Sequence, residues 1–133
     1  MIPERYAPQT YALMRIALAL IFLNYGLQKF GMFGGVDGQG GSAPFFSFPF
    51  GMAGVIEVIT GVLMLIGLLT PIAAFVASGE MAFAYFYYHF PMGGSPVQNM
   101  GQTAVILAFV FLYIAARGSG IWSVDAMRRG GRP

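Results

Sequence analysis

The chain of 133 residues contains no cysteine and only one histidine, His89. The absence of cysteine excludes disulfide bonds, CxxC redox chemistry and thiolate metal ligands within the chain. A single histidine excludes a bis-histidine haem or a multi-histidine site built by one copy, so no metal site is predicted. Charged residues make up only 9% of the sequence, against roughly 25% in soluble domains. The net charge of +2 is too small to indicate nucleic-acid binding.

What the sequence does contain is apolar residues, which make up 57% of it. They form four runs, at about residues 10–30, 51–69, 71–90 and 101–117. Roughly 20 helical residues cross a hydrocarbon core of ~30 Å, and the alternation typical of barrel strands is absent. The pattern predicts an all-α protein, an integral membrane four-helix bundle formed by one domain over residues 1–133.

The basic residues are distributed unevenly between the two ends of the predicted bundle. With four spans both termini lie on one side of the membrane, and the other side carries only Lys29. Because cytoplasmic loops carry an excess of Lys and Arg, we expect both termini to be cytoplasmic. The arginines on the terminal side are Arg5, Arg15, Arg117, Arg128, Arg129 and Arg132.

Charged and polar side chains also lie inside the predicted spans. Glu80 is nine residues from Pro71 and nine from His89, about 13 Å along a helix in each direction, and Glu57 lies within the second run. A charge at the bilayer centre costs at least ~2.5 kcal/mol, so these groups should face the bundle interior. We predict a polar cluster or proton relay in the half of the bundle away from the termini. Its members are Glu57, Lys29, Glu80, Gln102 and Asn24.

Two further features set the alternatives for these residues. Gly54, Glu57 and Gly61 fall on one face of the second helix, a stripe that allows close approach of another helix. The polar groups could therefore simply fix helix packing rather than serve a function. Arg15, one turn into the first helix, is expected to contact lipid headgroups or to form an ion pair with Asp125.

Four stretches resemble the DoxX family: "YGLQKF", "GVIEVITGVLMLIGLLT", "EMAFAYFYYHFP" and "GSGIWSVD". The resemblance implies a four-helix protein of the bacterial inner membrane, associated with quinone-linked or thiol-linked oxidoreduction beside other redox proteins. It places family positions on Arg15, Lys29, Glu57 and Asp125. Tyr25 and Gln102 stand where many members have a histidine and an acid, which removes two titratable groups.

Three functions remain open. The first is a subunit that binds a quinone non-covalently and acts with a redox partner, with Tyr25, Tyr87 and His89 contacting the quinone. For His89, a role as an anchor at the membrane interface is the more usual one. The second is a non-catalytic accessory subunit of a larger membrane complex, in which Glu57 and Lys29 pair to fix helix register. The third is a small proton-coupled transporter, working as a homo-oligomer through Glu80. Whether the chain itself catalyses a reaction stays open.

Overall fold

The computed structural model describes residues 1–130 of the chain. Within that range all regular elements are helices and none is a strand, which confirms the all-α class. Arg132, counted above on the terminal side, and the end of the predicted domain lie outside the described residues. The four long helices are α1 (Ala7–Lys29), α2 (Phe50–Ile66), α3 (Thr70–Ala84) and α4 (Gln102–Arg117), and a short α5 (Val124–Arg128) follows.

The helices differ in their capacity to cross a membrane. Among residues 1–130 one helical stretch, Glu4–Lys29, is both long and apolar enough to do so by length and composition. It consists of α1 and the 3₁₀ turn before it. The apolar helices α2 and α4 have 17 and 16 residues, about 26 and 24 Å of helix.

A tight turn makes α2 shorter than its predicted range of 51–69. Gly67 adopts a left-handed conformation (φ 73°), and its amide donates to the carbonyl of Leu63. This is a usual way to end a helix, because glycine has no Cβ to clash in that conformation. Leu69 is also left-handed, and Pro71 lies in the first turn of α3. The helix therefore stops at Ile66 and the chain reverses within three residues.

The predicted third helix, 71–90, changes its winding before it ends. The α-helix of α3 stops at Ala84, and a π-helical turn follows over Tyr85–His89. Asn99 holds this turn against the segment before α4. Its side-chain amide donates to the hydroxyl of Tyr85 at 3.3 Å, and its backbone carbonyl lies 3.0 Å from Nδ1 of His89. A π turn holds an extra residue and so redirects the side chains that follow it.

Close packing joins α1 to α2. A Cβ on Gly26 of α1 would fall 2.9 Å from Cβ of Glu57, and one on Gly61 of α2 would fall 3.1 Å from Leu23. The helix predicted to approach the small-residue stripe of α2 is therefore α1. The helix α4 also packs against α1, since Phe22 of α1 and Phe111 of α4 meet edge to face with ring centres 4.8 Å apart.

The loop between α1 and α2 has a glycine-rich half and an aromatic half. In the first, Oδ1 of the exposed Asp37 accepts the amides of Gln39 and Gly41 at 2.8 and 2.9 Å, and these bonds lower the pKa of Asp37. In the second, Phe48 packs against Phe83 and Tyr87, with ring centres 6.1 and 5.4 Å away. The aromatic half thus covers the C-terminal end of α3 and the π turn that follows it.

Candidate functional site

A buried ion pair joins α1 to α2 at the end of the bundle where the loop between these two helices lies. Nζ of Lys29, the last residue of α1, donates to both carboxylate oxygens of Glu57, at 2.8 and 3.1 Å. Glu57 is 2% exposed and the Lys29 side chain 20%. The contact depends on the absence of a side chain at Gly26, which brings the two helices together. The sequence predicts both residues in one polar cluster, and the structure places them in direct contact.

A second carboxyl group meets this pair from α3. The carboxyl groups of Glu80 and Glu57 lie within hydrogen-bonding reach of each other. Oε2 of Glu80 is shielded from solvent and has no hydrogen-bond partner among residues 1–130. Lys29 can balance only one negative charge, and two carboxylates in contact repel each other strongly in apolar surroundings. We therefore expect Glu57 and Glu80 to share a proton.

Lys29, Glu57 and Glu80 line part of a cleft of about 590 Å³. Ligand sites in proteins commonly have volumes of roughly 300–1,000 Å³ and mostly apolar walls with a few convergent polar groups. All four long helices and the aromatic loop contribute to the remaining walls. Those walls are largely aromatic or aliphatic and include Phe48, Ile56, Phe83, Ala84, Ala104 and Leu107.

The predicted ligand-contacting residues lie on this cleft, but two members of the predicted polar cluster do not. Tyr25, Tyr87 and His89 line it. Asn24 and Gln102 are exposed and lie outside its walls. Asn24 precedes Lys29 by five residues, which turns the two side chains about 140° apart around a helix. The placement of these two residues in the cluster is therefore corrected.

Two residues outside the predicted polar cluster also line the cleft. Thr103, next to Gln102, is the polar residue that α4 contributes there, and Phe48 reaches it from the loop. Neighbouring residues of a helix point in different directions. Helical periodicity could therefore indicate that Thr103, and not Gln102, faces the cleft only if the buried face of α4 were known. The stretch "FFSFPF" is too hydrophobic for a free loop and so indicates a segment in the membrane interface or over the mouth of the bundle, but which of its rings reaches the cleft depends on the path of an irregular loop.

At the opposite end of the bundle Arg15 is fully buried, at 0% exposure. Its guanidinium donates to the carbonyls of Met64 and Ile121 at 3.1 Å each and to that of Trp122 at 2.7 Å. It also donates to the carbonyl of Ser119. One side chain thus ties α1 to the end of α2 and to the segment after α4.

Asp125, the predicted ion-pair partner of Arg15, has other contacts. Its carboxylate accepts the amides of Leu69 and Thr70 at 3.1 and 3.4 Å and the hydroxyl of Ser119. Within residues 1–130 its salt bridge is with Arg128, at 3.7 Å. The direct pair with Arg15 is therefore not formed, because backbone carbonyls occupy the guanidinium. Ser119 links the two residues through its carbonyl and its hydroxyl.

Comparison with known proteins places this arrangement in a family. The sequence matches the DoxX family over residues 10–90, which include Arg15, Lys29, Glu57 and Glu80. The chain belongs to the DoxX family. An uncharacterised protein of Haemophilus influenzae is 36% identical over 125 residues, which cover 92% of each chain. No solved structure matches. The resemblance noted in the sequence is thus confirmed.

For this DoxX protein, the structure gives Asp125 a fastening role that can be tested. Burial alone would raise the pKa of Asp125, but the hydrogen bonds from Ser119, Leu69 and Thr70 outweigh it and hold the pKa below its usual value. A depressed pKa means that the carboxylate stabilises the fold above about pH 4, the pKa of an unfolded aspartate, and that this contribution is lost as pH falls further.

We predict that Asp125→Asn lowers the free energy of unfolding at pH 7 by about 1–2 kcal/mol, because both carboxylate oxygens accept hydrogen bonds and an amide has one acceptor. Asp37→Asn is the matched control, since only Oδ1 of Asp37 accepts amides. Thermal unfolding in detergent, followed by circular dichroism between pH 3 and 7, measures both. Equal losses in the two variants would contradict the prediction, as would a difference that does not shrink as the pH falls from 7 to 3.

Proposed function

We propose that this DoxX protein is a multi-pass protein of the bacterial inner membrane with both termini in the cytoplasm. Large apolar side chains are exposed on each long helix, among them Leu13, Ile59, Phe75 and Phe109. Such a surface suits lipid as its surroundings, and α2 and α4 reach across by local thinning of the bilayer. The excess of arginine at the terminal end supports the orientation.

Within that membrane the protein acts, in our proposal, as a subunit of quinone-linked oxidoreduction. One observation carries this: a largely apolar, aromatic cleft of about 590 Å³ opens directly onto Lys29, Glu57 and Glu80. An apolar cleft suits the tail and ring of a quinone. Lys29 has a third N–H beyond the two given to Glu57, which can be donated to a ring carbonyl.

The roles of protons and electrons differ in this proposal. Glu57 and Glu80, which we expect to share a proton, provide a route for protons to and from the cleft. Electrons come from a separate redox protein, because the chain has no cysteine and only one histidine with which to bind a redox metal. The partners are therefore lipid and at least one further membrane subunit.

The proposal is tested by filling the cleft. Ala84 lines the cleft, whereas Ala116 is exposed on the same bundle outside it. We predict that wild type and Ala116→Trp, purified in mild detergent, carry an extractable quinone detected by mass spectrometry, and that Ala84→Trp has lost at least nine-tenths of it. Partner chains should co-purify with Ala84→Trp as they do with wild type, because Ala84 lies in the cleft and its replacement leaves the outer surface unchanged.

An equal quinone content in both variants would contradict binding in the cleft. Partner chains without any quinone in the wild type would favour the second candidate, an accessory subunit, for which the ion pair that fixes α1 against α2 is the supporting observation. A homo-oligomer with neither quinone nor partner would point instead to transport. Gradient-driven uptake that depends on Glu80 is then the measurement to make.

A further inference from the structure

The hydrogen-bonding capacity of Glu80 defines what a ligand must bring to the cleft. We propose that the cleft selects the hydroxyl-bearing form of an aromatic ligand, a phenol or hydroquinone, over the carbonyl or ether form of the same ring, and that Glu80 is the residue that makes this distinction. The inference rests on the proposed ligand cleft and adds its chemical preference.

The first step is the shortage of donors around Glu80. Nζ of Lys29 directs two hydrogen bonds to Glu57, and none to Glu80 is formed. Oε2 of Glu80 is shielded from solvent and so from the cleft, which leaves Oε1 as the oxygen that a ligand can reach. Covering an acceptor without supplying a donor is costly, and a ligand that supplies one avoids that cost on binding.

The second step is the direction of the shared proton. Lys29 donates to both oxygens of Glu57 and to neither oxygen of Glu80, so the negative charge is best placed on Glu57, and a proton between the two carboxyl groups is donated by Glu80 to Glu57. A carboxylic acid that gives its O–H in this way is left with an acceptor oxygen, and rotation of the carboxyl group leaves the same result whichever oxygen faces Glu57. Towards the cleft, Glu80 is therefore an acceptor.

The third step concerns the ring that carries the hydroxyl. Phe83 and Tyr87, three and seven residues after Glu80, are stacked with ring centres 5.2 Å apart, and both line the cleft. Aromatic side chains stack well against flat rings. A ligand ring held there presents its substituent to Glu80. A hydroxyl can donate to it, while a carbonyl or ether oxygen meets a lone pair.

A pair of probes that differ only in this donor tests the inference without redox chemistry. The probes are 4-octylphenol and 4-octylanisole, titrated calorimetrically into the protein in lipid nanodiscs, with empty nanodiscs to correct for partitioning. We expect the phenol to bind about tenfold more tightly, the effect of one hydrogen bond in a desolvated site.

Two substitutions at Glu80 separate its chemistry from its size. Glu80→Met should abolish the preference and leave both probes within about twofold of each other, because no acceptor remains. Glu80→Gln should keep the preference, because its amide N–H donates to Glu57 and its carbonyl still accepts from the ligand. Gln102→Leu, exposed outside the cleft, is the control and should bind both probes as wild type does.

Equal affinity of wild type for the two probes would overturn the inference and leave the cleft as a ligand site. A preference that survives Glu80→Met would overturn the role of Glu80, as would loss of both probes in Glu80→Gln. Failure of both probes to bind wild type, together with no co-purified quinone, would overturn the proposed function as well.

Discussion

Replacing Arg15 by lysine is expected to lower the melting temperature of the protein by about 10 °C or more. Four backbone carbonyls share this guanidinium, from Met64, Ser119, Ile121 and Trp122. A lysine ammonium has three donors at one point, whereas arginine spreads five over a planar fork. Three donors leave at least one of the four carbonyls without a partner, and because they diverge from one nitrogen we expect about two to be lost in this fully buried site, each at a cost of about 1–3 kcal/mol.

The matched control for this prediction is Arg5→Lys, the same exchange at an exposed position of the turn before α1. Thermal unfolding in detergent, monitored by circular dichroism, compares the two variants. The fluorescence of Trp122, the single tryptophan, reports separately on the segment after α4. A melting temperature within 2 °C of wild type would show that the carbonyl contacts contribute little. A loss confined to the Trp122 signal would show that Arg15 holds only the terminal segment.

The contacts of Arg15 give a structural role to "GSGIWSVD", one of the four stretches that resemble the DoxX family. Ser119, Ile121 and Trp122 supply carbonyls to Arg15, and Asp125 fastens the same segment to the turn between α2 and α3. The stretch closes the terminal end of the bundle. Its residues are on the opposite end of the molecule from the cleft, so we assign them to stability.

Much of the site could be predicted because buried charge is rare in an apolar chain. Glu57, Lys29 and Glu80 stand out for that reason, and the physical cost of burying them required that they meet. The stripe of Gly54 and Gly61 beside Glu57 identified the face of α2 against which another helix packs. Composition and the length of the apolar runs were sufficient for the all-α class.

The remainder depends on geometry that local sequence does not encode. Asn24 and Gln102 lie at the same depth as the cluster but on other faces, and depth alone was the basis for including them. Opposite charges favour a pair between Arg15 and Asp125, although backbone carbonyls and amides satisfy the two side chains better. Neither the π turn before His89 nor the path that brings Phe48 to the cleft follows from residue type.

The second large effect is expected at the ion pair. Lys29→Met leaves Glu57 buried beside Glu80 with no cation, and we predict a loss of about 3 kcal/mol in the free energy of unfolding. Glu57→Met leaves Lys29, whose side chain is 20% exposed, free to turn towards solvent, and should cost less. The double variant should unfold within about 1 kcal/mol of wild type, because it leaves no unpaired charge.

A double-mutant cycle in detergent, with Arg117→Met as an exposed control, measures the coupling between Lys29 and Glu57. Additive losses would contradict the prediction and show that the two charges act independently. The double variant has a further use, because a stable bundle without the pair separates the two interpretations of these residues. If it keeps its quinone and the activity of its complex, the pair only fixes α1 against α2. If it is folded but has lost the quinone, Lys29 and Glu57 belong to the binding site.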